Sequence, residues 1–237
     1  MTKRFAFFDV DETIVRFKTM FEFQRYWLTQ SGFMQTIFGA WRHRRFSTQM
    51  EMYLRSGRSR EFINAAYYRD FGGRDPALVR KLARRWYEDM RATGRELYFT
   101  PILSVLRAQQ AAGIAVVLVS GSLIDILTSF AEELNVNHIL ATELQVVDRR
   151  YTGRILPPQM IGAGKATAVR SSLAEQCADR AECWAYGDHT SDLAMLEEVG
   201  HPTIVSNAQE MIIIAEDRGW DWINPFGQIV SRQHQFV

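Results

Sequence analysis

The sequence predicts an α/β fold, in which a parallel β-sheet with flanking helices is interrupted after its first strand by an all-helical subdomain. The first observation is that short apolar runs alternate with helical patterns over residues 99–237. The second is the continuously apolar run AVVLV at residues 115–119, which is typical of a strand covered on both faces. The third is the stretch from residue 20 to 98, where apolar and aromatic side chains recur at three- and four-residue spacing.

The chain begins with a short apolar segment, residues 4–9, that we predict to be a buried strand. Glycine-containing pairs interrupt the helical pattern that follows at residues 56–57, 72–73 and 93–94. The pattern therefore predicts about three to five helices. We expect residues 16–98 to form a helical cap subdomain, and residues 1–15 together with 99–237 to form the α/β core.

The remaining elements of the core are predicted in order along the chain. We predict helices at about residues 101–113, directly after residue 122, and at 164–176 and 191–199. We predict strands at residues 115–119, 137–142, 183–186 and 202–205, and a hairpin over 144–155. The alternation of strand and helix favours parallel pairing.

The composition is that of an ordinary globular protein. The 237 residues are 47% hydrophobic, and the formal net charge of +1 gives no overall attraction to nucleic acids or membranes. No segment approaches the roughly 18 apolar residues of a membrane span, and no signal peptide is predicted. Cys177 and Cys183 match no common metal motif and are expected to be reduced. We therefore expect a cytoplasmic protein without nucleic-acid or membrane partners.

Charge is unevenly distributed along the chain. Residues 15–98 hold 17 of the 28 Lys and Arg residues but only 8 of the 27 Asp and Glu residues, so this segment carries +9 and the remainder −8. The asymmetry predicts two modules that face each other with opposite charge. Nucleic-acid binding through the basic segment is a weaker alternative, because its charge would face the acidic core.

Polar residues follow three of the predicted strands. They are Asp9 with Asp11, then Ser120, and then Asp188 with Asp192. The carboxyl ends of parallel strands share one edge of the sheet, so we expect these side chains to converge there. Carboxylates so close together repel one another, and a hard divalent cation such as Mg²⁺ relieves that repulsion. The sequence therefore predicts a magnesium site on this edge.

The same residues suit phosphoryl transfer. A carboxylate can act as a nucleophile and form an aspartyl phosphate, and a second one can act as a general acid and base. A serine hydroxyl, backbone N–H groups near Gly121 and the glycine-flanked Lys165 can hold phosphoryl oxygens. Taken singly, each motif also fits a common structural role: a capped turn, a helix N-cap, a solvated lysine or a first-turn acid.

Taken in order, these motifs resemble the four motifs of the haloacid dehalogenase superfamily of hydrolases. They stand here as DVDET (9–13), SGS (120–122), Lys165 and GDHTSD (187–192). The resemblance covers nearly the whole chain, and the helical segment matches the family's cap insertion. The stretches DLAML (192–196) and AEDRGW (215–220) extend it to the phosphoserine-phosphatase-like branch. It implies a Rossmann-like core of parallel strands.

The resemblance also implies a role for each motif residue. Asp9 is the expected nucleophile and a Mg²⁺ ligand, and Asp11 is the expected general acid and base, with its backbone carbonyl on the metal. Phosphate binding is assigned to Thr13, which also steadies the loop, and to Ser120, Gly121 and Lys165. Outside the motifs, we expect Lys18 to contact the substrate. Lys165 also neutralises the nucleophile. Asp188 is an expected metal ligand, supported by Asp192.

Two positions depart from the pattern of phosphoserine phosphatases. Lys18 stands where those enzymes place a glutamate for the substrate amine, and Ser191 stands where they usually carry an asparagine. Phosphoserine is therefore disfavoured. Lys18 and the cap arginines, of which Arg55, Arg58 and Arg60 lie near a predicted helix break, suit a substrate with additional negative charge. Most of these arginines also fit a solvated helix face.

We therefore predict a Mg²⁺-dependent phosphatase that acts on a small phosphorylated metabolite through an aspartyl phosphate on Asp9. The alternatives are a phosphotransferase or mutase with the same intermediate, and a non-catalytic protein that binds a phosphorylated ligand. Asp11 favours phosphoryl transfer over dehalogenation, because a halide needs no proton to leave. The sequence predicts neither the identity of the substrate nor the oligomeric state.

Overall fold

The structure, a computed structural model, describes residues 3–29, 33–227 and 229–230. The described strands are β1 (Phe5–Asp9), β2 (Ala115–Leu123), β3 (His138–Thr142), β4 (Leu144–Val147), β5 (Arg150–Ile155), β6 (Trp184–Gly187), β7 (His201–Val205), β8 (Asp221–Ile223) and β9 (Ile229–Val230). The described helices are α1 (Thr19–Thr29), α2 (Phe33–Arg55), α3 (Arg60–Arg69), α4 (Pro76–Ala92), α5 (Thr100–Ala111), α6 (Ile124–Leu134), α7 (Ala163–Glu175), α8 (Leu193–Leu196) and α9 (Gln209–Arg218).

The predicted α/β fold is confirmed. The main sheet has the order β3-β2-β1-β6-β7-β8-β9, and its neighbouring strands are parallel except for β8 and β9. Strands β4 and β5 form the separate antiparallel hairpin expected over residues 144–155. From β1 the chain proceeds to β2 on one side and later to β6 on the other. The carboxyl ends of β1 and its two neighbours therefore meet where ligands bind in such sheets.

The central strands are apolar throughout because both faces of the sheet are covered. In β1, Ala6 and Phe8 join one hydrophobic cluster, whereas Phe5 and Phe7 join a second cluster on the opposite face. Successive side chains of a strand point to opposite faces, so a doubly covered strand shows no polar alternation. This explains the nearly unbroken apolar run before Asp9.

Three features of the core differ from the sequence prediction. Strand β2 continues through Ser120, Gly121 and Ser122 to Leu123, where its pairing with β3 shifts register, instead of ending at residue 119. The helix predicted at 191–199 is a 3₁₀ turn followed by only four residues of α8, because the chain turns at Gly200 into β7. After the last predicted strand the chain forms helix α9, and strands β8 and β9 extend the sheet.

Helices α1 to α4 lie between β1 and α5, and the predicted breaks at 56–57, 72–73 and 93–94 fall at their ends. Helix α4 buries Val79, Ala83, Trp86 and Tyr87 at helical spacing, and the rings of Trp86 and Tyr87 pack 5.8 and 4.7 Å from Phe130 of α6. One hydrophobic cluster thus includes residues of the helical segment and of the sheet. Within the described ranges, no helix is long and apolar enough to cross a bilayer.

Ion pairs join the basic helical segment to the acidic side of α6. Arg80 lies 3.2 Å from Asp125, and Arg84 lies 2.9 Å from Glu132. Arg80, Arg84 and Glu132 are more than half exposed, whereas Asp125 is largely buried. Because solvent screens at least one partner of each pair, each pair contributes at most about 1 kcal/mol. The ion pairs orient α4 against α6, and the packing of the buried aromatic rings holds these two helices together.

Candidate active site

The expected residues meet in one cleft at the carboxyl ends of three neighbouring strands. Asp9 is the last residue of β1, Ser120 lies in β2, and Asp188 follows β6 directly. The cleft is also lined by Asp11 and Lys165. The sheet order explains the convergence, because β2 and β6 flank β1.

Three carboxylates form an acid cluster in this cleft: Asp9, Asp188 and Asp192. One ligand oxygen from each lies within 4.8 Å of the other two. The Nζ of Lys165 donates to Asp9 Oδ1 at 2.5 Å and to Asp192 Oδ1 at 2.7 Å. The three carboxylates exceed the one ammonium by two negative charges, which one divalent cation would balance. Their oxygen donors are those that Mg²⁺ prefers.

Burial sets the protonation of this cluster. It raises the pKa of Asp9, a rise that Lys165 opposes and that Asp192 and Asp188 increase. Burial and then the charge of Asp192 raise the pKa of Asp188 to about 6. Burial alone would lower the pKa of Lys165, but the charges of Asp192 and Asp9 outweigh it, so the pKa is raised and the ammonium stays protonated.

Thr13 lies behind the acid cluster, with no exposed surface, and does not line the cleft. Its hydroxyl lies 3.1 Å from Asp9 Oδ2 and 3.0 Å from Asp188 Oδ1. Since one hydroxyl carries one proton, it can donate fully to only one of these oxygens at a time. Thr13 therefore restrains the distance between the carboxylates of Asp9 and Asp188, from the side that faces away from the cleft.

Asp11 is held apart from the acid cluster. Its Oδ1 accepts from the backbone N–H of Thr19 at 3.0 Å and from the Thr19 hydroxyl at 2.7 Å, and its Oδ2 accepts from the Ser122 hydroxyl at 2.9 Å. Burial raises the pKa of Asp11, although the hydrogen bonds from Thr19 and Ser122 oppose this rise. A raised pKa favours the protonated carboxyl that a general acid requires.

The backbone of β2 is fixed beside the nucleophile candidate by side chains from two elements. The carbonyl oxygen of Gly121 accepts from Asn64 Nδ2 at 3.0 Å, from the Tyr68 hydroxyl at 2.9 Å and from the Thr142 hydroxyl at 2.8 Å. The Ser120 hydroxyl accepts from the backbone N–H of Ser122 at 3.0 Å. Ser120 and Gly121 both line the cleft.

Two motif glycines are required by close backbone approaches. A Cβ on Gly164 would lie 1.7 Å from the carbonyl oxygen of Gln159, and a Cβ on Gly187 would lie 2.7 Å from Cβ of Asp192. Real Cβ atoms do not approach so closely. These glycines let α7 bring Lys165, and β6 bring Asp188, to the acid cluster.

The outer part of the cleft is formed by the helical segment. Lys18 lines it and is ion-paired to Glu12 at 3.2 Å, and Arg60 lines it and donates to the Ser191 hydroxyl at 3.1 Å. Arg55 and Arg58 lie elsewhere: one is near Glu51, and the other lies over the ring of Phe62. These two arginines therefore fit the alternative interpretation, in which most of the arginines of the helical segment lie on a solvated helix face.

Four residues around the site were not predicted from the sequence: Thr19, Asn64, Tyr68 and Ser122. A threonine at the start of a helical pattern is a common helix-start signal, and Ser122 is the third residue of the SGS motif, so both could have been considered. Asn64 and Tyr68 lie one turn apart in α3, where nothing in the sequence indicates the carbonyl group that they reach.

The chain is similar in sequence to known phosphatases and similar in fold to a solved structure. A probable phosphatase of Mycobacterium tuberculosis is 29% identical over 218 residues, covering 91% of this chain and 73% of that protein. A phosphoserine phosphatase of the same organism is 25% identical over 223 residues, covering 91% and 69%. The solved structure of a protein of unknown function from Bordetella pertussis Tohama I has a TM-score of 0.79 at 25% identity, covering 95% of this chain and all of that one.

The family model of haloacid dehalogenase-like hydrolases matches residues 6–197, which include all four motifs. The sequence resemblance is thereby confirmed. The chain belongs to the haloacid dehalogenase-like hydrolase family.

Proposed function

We propose that the protein is a Mg²⁺-dependent phosphatase that hydrolyses a small phosphomonoester through an aspartyl phosphate on Asp9, with Asp11 as general acid and base. The observation that carries this proposal is the separation of two acids. Asp9 is buried and paired with Lys165 in the acid cluster, whereas Asp11 is partly buried and is held apart by Thr19 and Ser122. The relatives that are named phosphatases support the phosphomonoester hydrolase class.

The acid cluster fits Mg²⁺ in charge and in donor type. Asp9, Asp188 and Asp192 would contribute carboxylate oxygens, and the backbone carbonyl of Asp11 is the remaining expected protein ligand. A bound Mg²⁺ supplies positive charge close to the phosphoryl oxygens and offsets the repulsion among the carboxylates.

In the first half of the reaction, a carboxylate oxygen of Asp9 attacks phosphorus, and the bond from phosphorus to the ester oxygen breaks. Lys165 holds Asp9 Oδ1, and Thr13 restrains Oδ2, so the carboxylate is positioned before the substrate arrives. The departing alkoxide takes the carboxyl proton of Asp11. The products of this step are the free alcohol and an aspartyl phosphate.

In the second half, Asp11 is ionised and can accept a proton from water as that water attacks the phosphorus of the aspartyl phosphate. The acyl phosphate bond breaks, inorganic phosphate leaves, and both Asp9 and Asp11 return to their starting states. The Ser120 hydroxyl, the backbone at Gly121 and the ammonium of Lys165 are the groups proposed to hold the phosphoryl oxygens. Lys18 adds positive charge at the mouth of the cleft.

A panel of small phosphomonoesters, assayed with and without Mg²⁺, tests the proposal. We expect phosphate release that requires Mg²⁺ and that falls at least about a thousandfold in the Asp9→Asn variant. Full turnover by Asp9→Asn would eliminate the covalent mechanism. Product analysis with added alcohols separates hydrolysis from phosphotransfer, because a transferase yields a new phosphate ester in place of inorganic phosphate.

A further inference from the structure

Five apolar side chains line the same cleft as the acid cluster. They are Met20 and Phe21 of α1, Leu54 of α2, Ile63 of α3 and Ile161, which precedes α7. Leu54 is 59% exposed, which is high for a leucine beside a polar reaction centre. We refer to these five side chains as the apolar wall. A substrate that is polar throughout would leave this surface without a complementary partner.

The cleft offers no acid that could recognise an amine apart from the reaction centre itself. Among the described residues that line the cleft, the acidic ones are Asp9, Asp11, Asp188 and Asp192. Glu22, the acid nearest in sequence to the position of Lys18, accepts from Arg25 at 2.8 Å and lies 3.8 Å from Arg95, in a different cavity. An ammonium group on the substrate would meet the apolar wall, the positive charge of Arg60, and Lys18, which is already paired with Glu12.

We infer that the substrate is a phosphomonoester of an apolar alcohol, whose alkyl chain lies along the apolar wall while its phosphate lies beside Asp9, at Ser120, Gly121 and Lys165. This inference rests on the proposed function and specifies its substrate class. Each methylene group that leaves water on binding contributes a factor of about four to affinity. The same wall disfavours ammonium-bearing alcohols, because a charged group loses its hydration there without gaining a counter-ion.

The test compares n-alkyl phosphates from ethyl to hexyl, together with the matched pair propyl phosphate and ethanolamine phosphate, under Mg²⁺. We expect kcat/KM to rise at least about tenfold from ethyl to hexyl phosphate. We also expect propyl phosphate to be preferred at least about tenfold over ethanolamine phosphate, which has the same number of heavy atoms after the ester oxygen.

Variants locate the effect on the apolar wall. Leu54→Ser should lower the ratio of kcat/KM for hexyl phosphate to that for ethyl phosphate by about fivefold. Leu54 is exposed, so its replacement leaves the core intact. The matched control is Leu78→Ser on α4, which replaces a leucine that is 47% exposed and lies outside the cleft, and which should leave the ratio unchanged.

The outcomes separate this inference from the proposed function. Equal kcat/KM across the alkyl series, or a preference for ethanolamine phosphate, overturns the inference while Mg²⁺-dependent hydrolysis still supports a phosphatase. An unchanged ratio in Leu54→Ser overturns the placement of the alkyl chain on the apolar wall. Absence of turnover with every ester overturns both the inference and the proposed function.

Discussion

Lys165 is a buried ammonium between two carboxylates, and it balances part of the charge of the acid cluster. Its side chain is only 5% exposed and lies 2.5 Å from Asp9 and 2.7 Å from Asp192. A buried ion pair is costly to form, but removal of one partner is more costly, because the remaining charge stays buried without compensation. The stability of the protein without metal should therefore depend on Lys165.

Replacement of Lys165 by methionine should lower the free energy of unfolding by about 3 kcal/mol at pH 7 in the absence of Mg²⁺. The loss should shrink as the pH falls, because protonated carboxyl groups tolerate burial better than carboxylates. Urea unfolding at pH 5 and pH 7 measures both effects. Lys81→Met, which replaces an exposed lysine, is the matched control and should change stability by less than about 0.5 kcal/mol. Equal losses in the two variants would contradict this account.

We expect Asp188 to make metal binding depend on pH. Its pKa is raised from 3.8 to about 6, so the folded protein binds more protons than the unfolded chain between these values. Without metal, stability is therefore lost as the pH rises through about 6. Because Mg²⁺ binds the ionised carboxylates, the increase in Tm caused by Mg²⁺ should be larger at pH 7 than at pH 5. Thermal unfolding with and without Mg²⁺ at both pH values measures this, and an equal or larger increase at pH 5 would refute it.

The residues that converge in the cleft could be predicted where a strand end or a glycine marks them in the sequence. Asp9, Ser120 and Asp188 lie within or directly after apolar strands, and Gly164 marks Lys165. The partners that hold these residues could not be predicted, since a hydrogen bond such as that from Tyr68 to the Gly121 carbonyl depends on how α3 packs against β2. A sequence pattern indicates the period of a helix or strand, but it does not indicate how one element packs against another.

At the scale of elements, α3 connects the helical segment to the end of β2 that we propose to bind phosphate. Asn64 and Tyr68, both buried, donate to the carbonyl of Gly121, and Asn64 Oδ1 accepts from Gln159 Nε2 at 3.1 Å. The Gly121–Ser122 peptide unit is thereby held in one orientation. A change in the position of α3 would reorient the groups proposed to bind phosphate.

The Tyr68→Phe variant removes one of the three donors to the Gly121 carbonyl. Stability should fall by about 1 kcal/mol, because Asn64 and Thr142 still satisfy this oxygen. We expect kcat/KM to fall as well, since the peptide unit beside Asp9, the proposed nucleophile, is less restrained. The control Tyr53→Phe removes a hydroxyl that accepts from Gln49 near the surface and should change neither quantity appreciably. Loss of stability without any effect on kcat/KM would limit Tyr68 to a structural role.

Elements with a clear hydrophobic period were predicted, whereas irregular ones were not. The sequence prediction placed β1 and the start of β2 correctly because their apolar runs are continuous. It shortened β2 because SGS has the composition of a turn, although three side-chain donors hold its carbonyl within the strand. It lengthened α8 because Val199 continues the helical period of the apolar residues in DLAML, although the helix already ends at Leu196.

At the scale of the whole molecule, the helical segment and the sheet share a hydrophobic core. Trp86 of α4 is 2% exposed, and its ring lies 5.6 Å from Phe23 and 5.8 Å from Phe130. Because the cluster that contains these rings also contains Phe8 of β1, the described residues of the helices and of the sheet belong to one core. The alternating pattern of the sequence predicted the fold class, but it could not predict this shared packing.

Unfolding should therefore occur in one transition, and Trp86→Ala should destabilise the whole molecule by about 3–5 kcal/mol. Circular dichroism and tryptophan fluorescence should give coincident urea curves in both the parent protein and the variant. Trp41→Ala removes a tryptophan that is 59% exposed and is the matched control, with an expected change below about 1 kcal/mol. Two separated transitions would show that the helical segment unfolds independently.

The most direct test of the central claim is to trap the covalent intermediate on Asp9. In Asp11→Asn the side chain cannot act as a general base, so a phosphoenzyme formed with a good leaving group should accumulate. Intact-mass spectrometry should show the addition of one phosphoryl group, located by peptide analysis at Asp9, and the double variant Asp9→Asn/Asp11→Asn should show none. Mg²⁺-dependent turnover by the parent protein without any adduct in Asp11→Asn, or an adduct that persists in the double variant, would contradict the account.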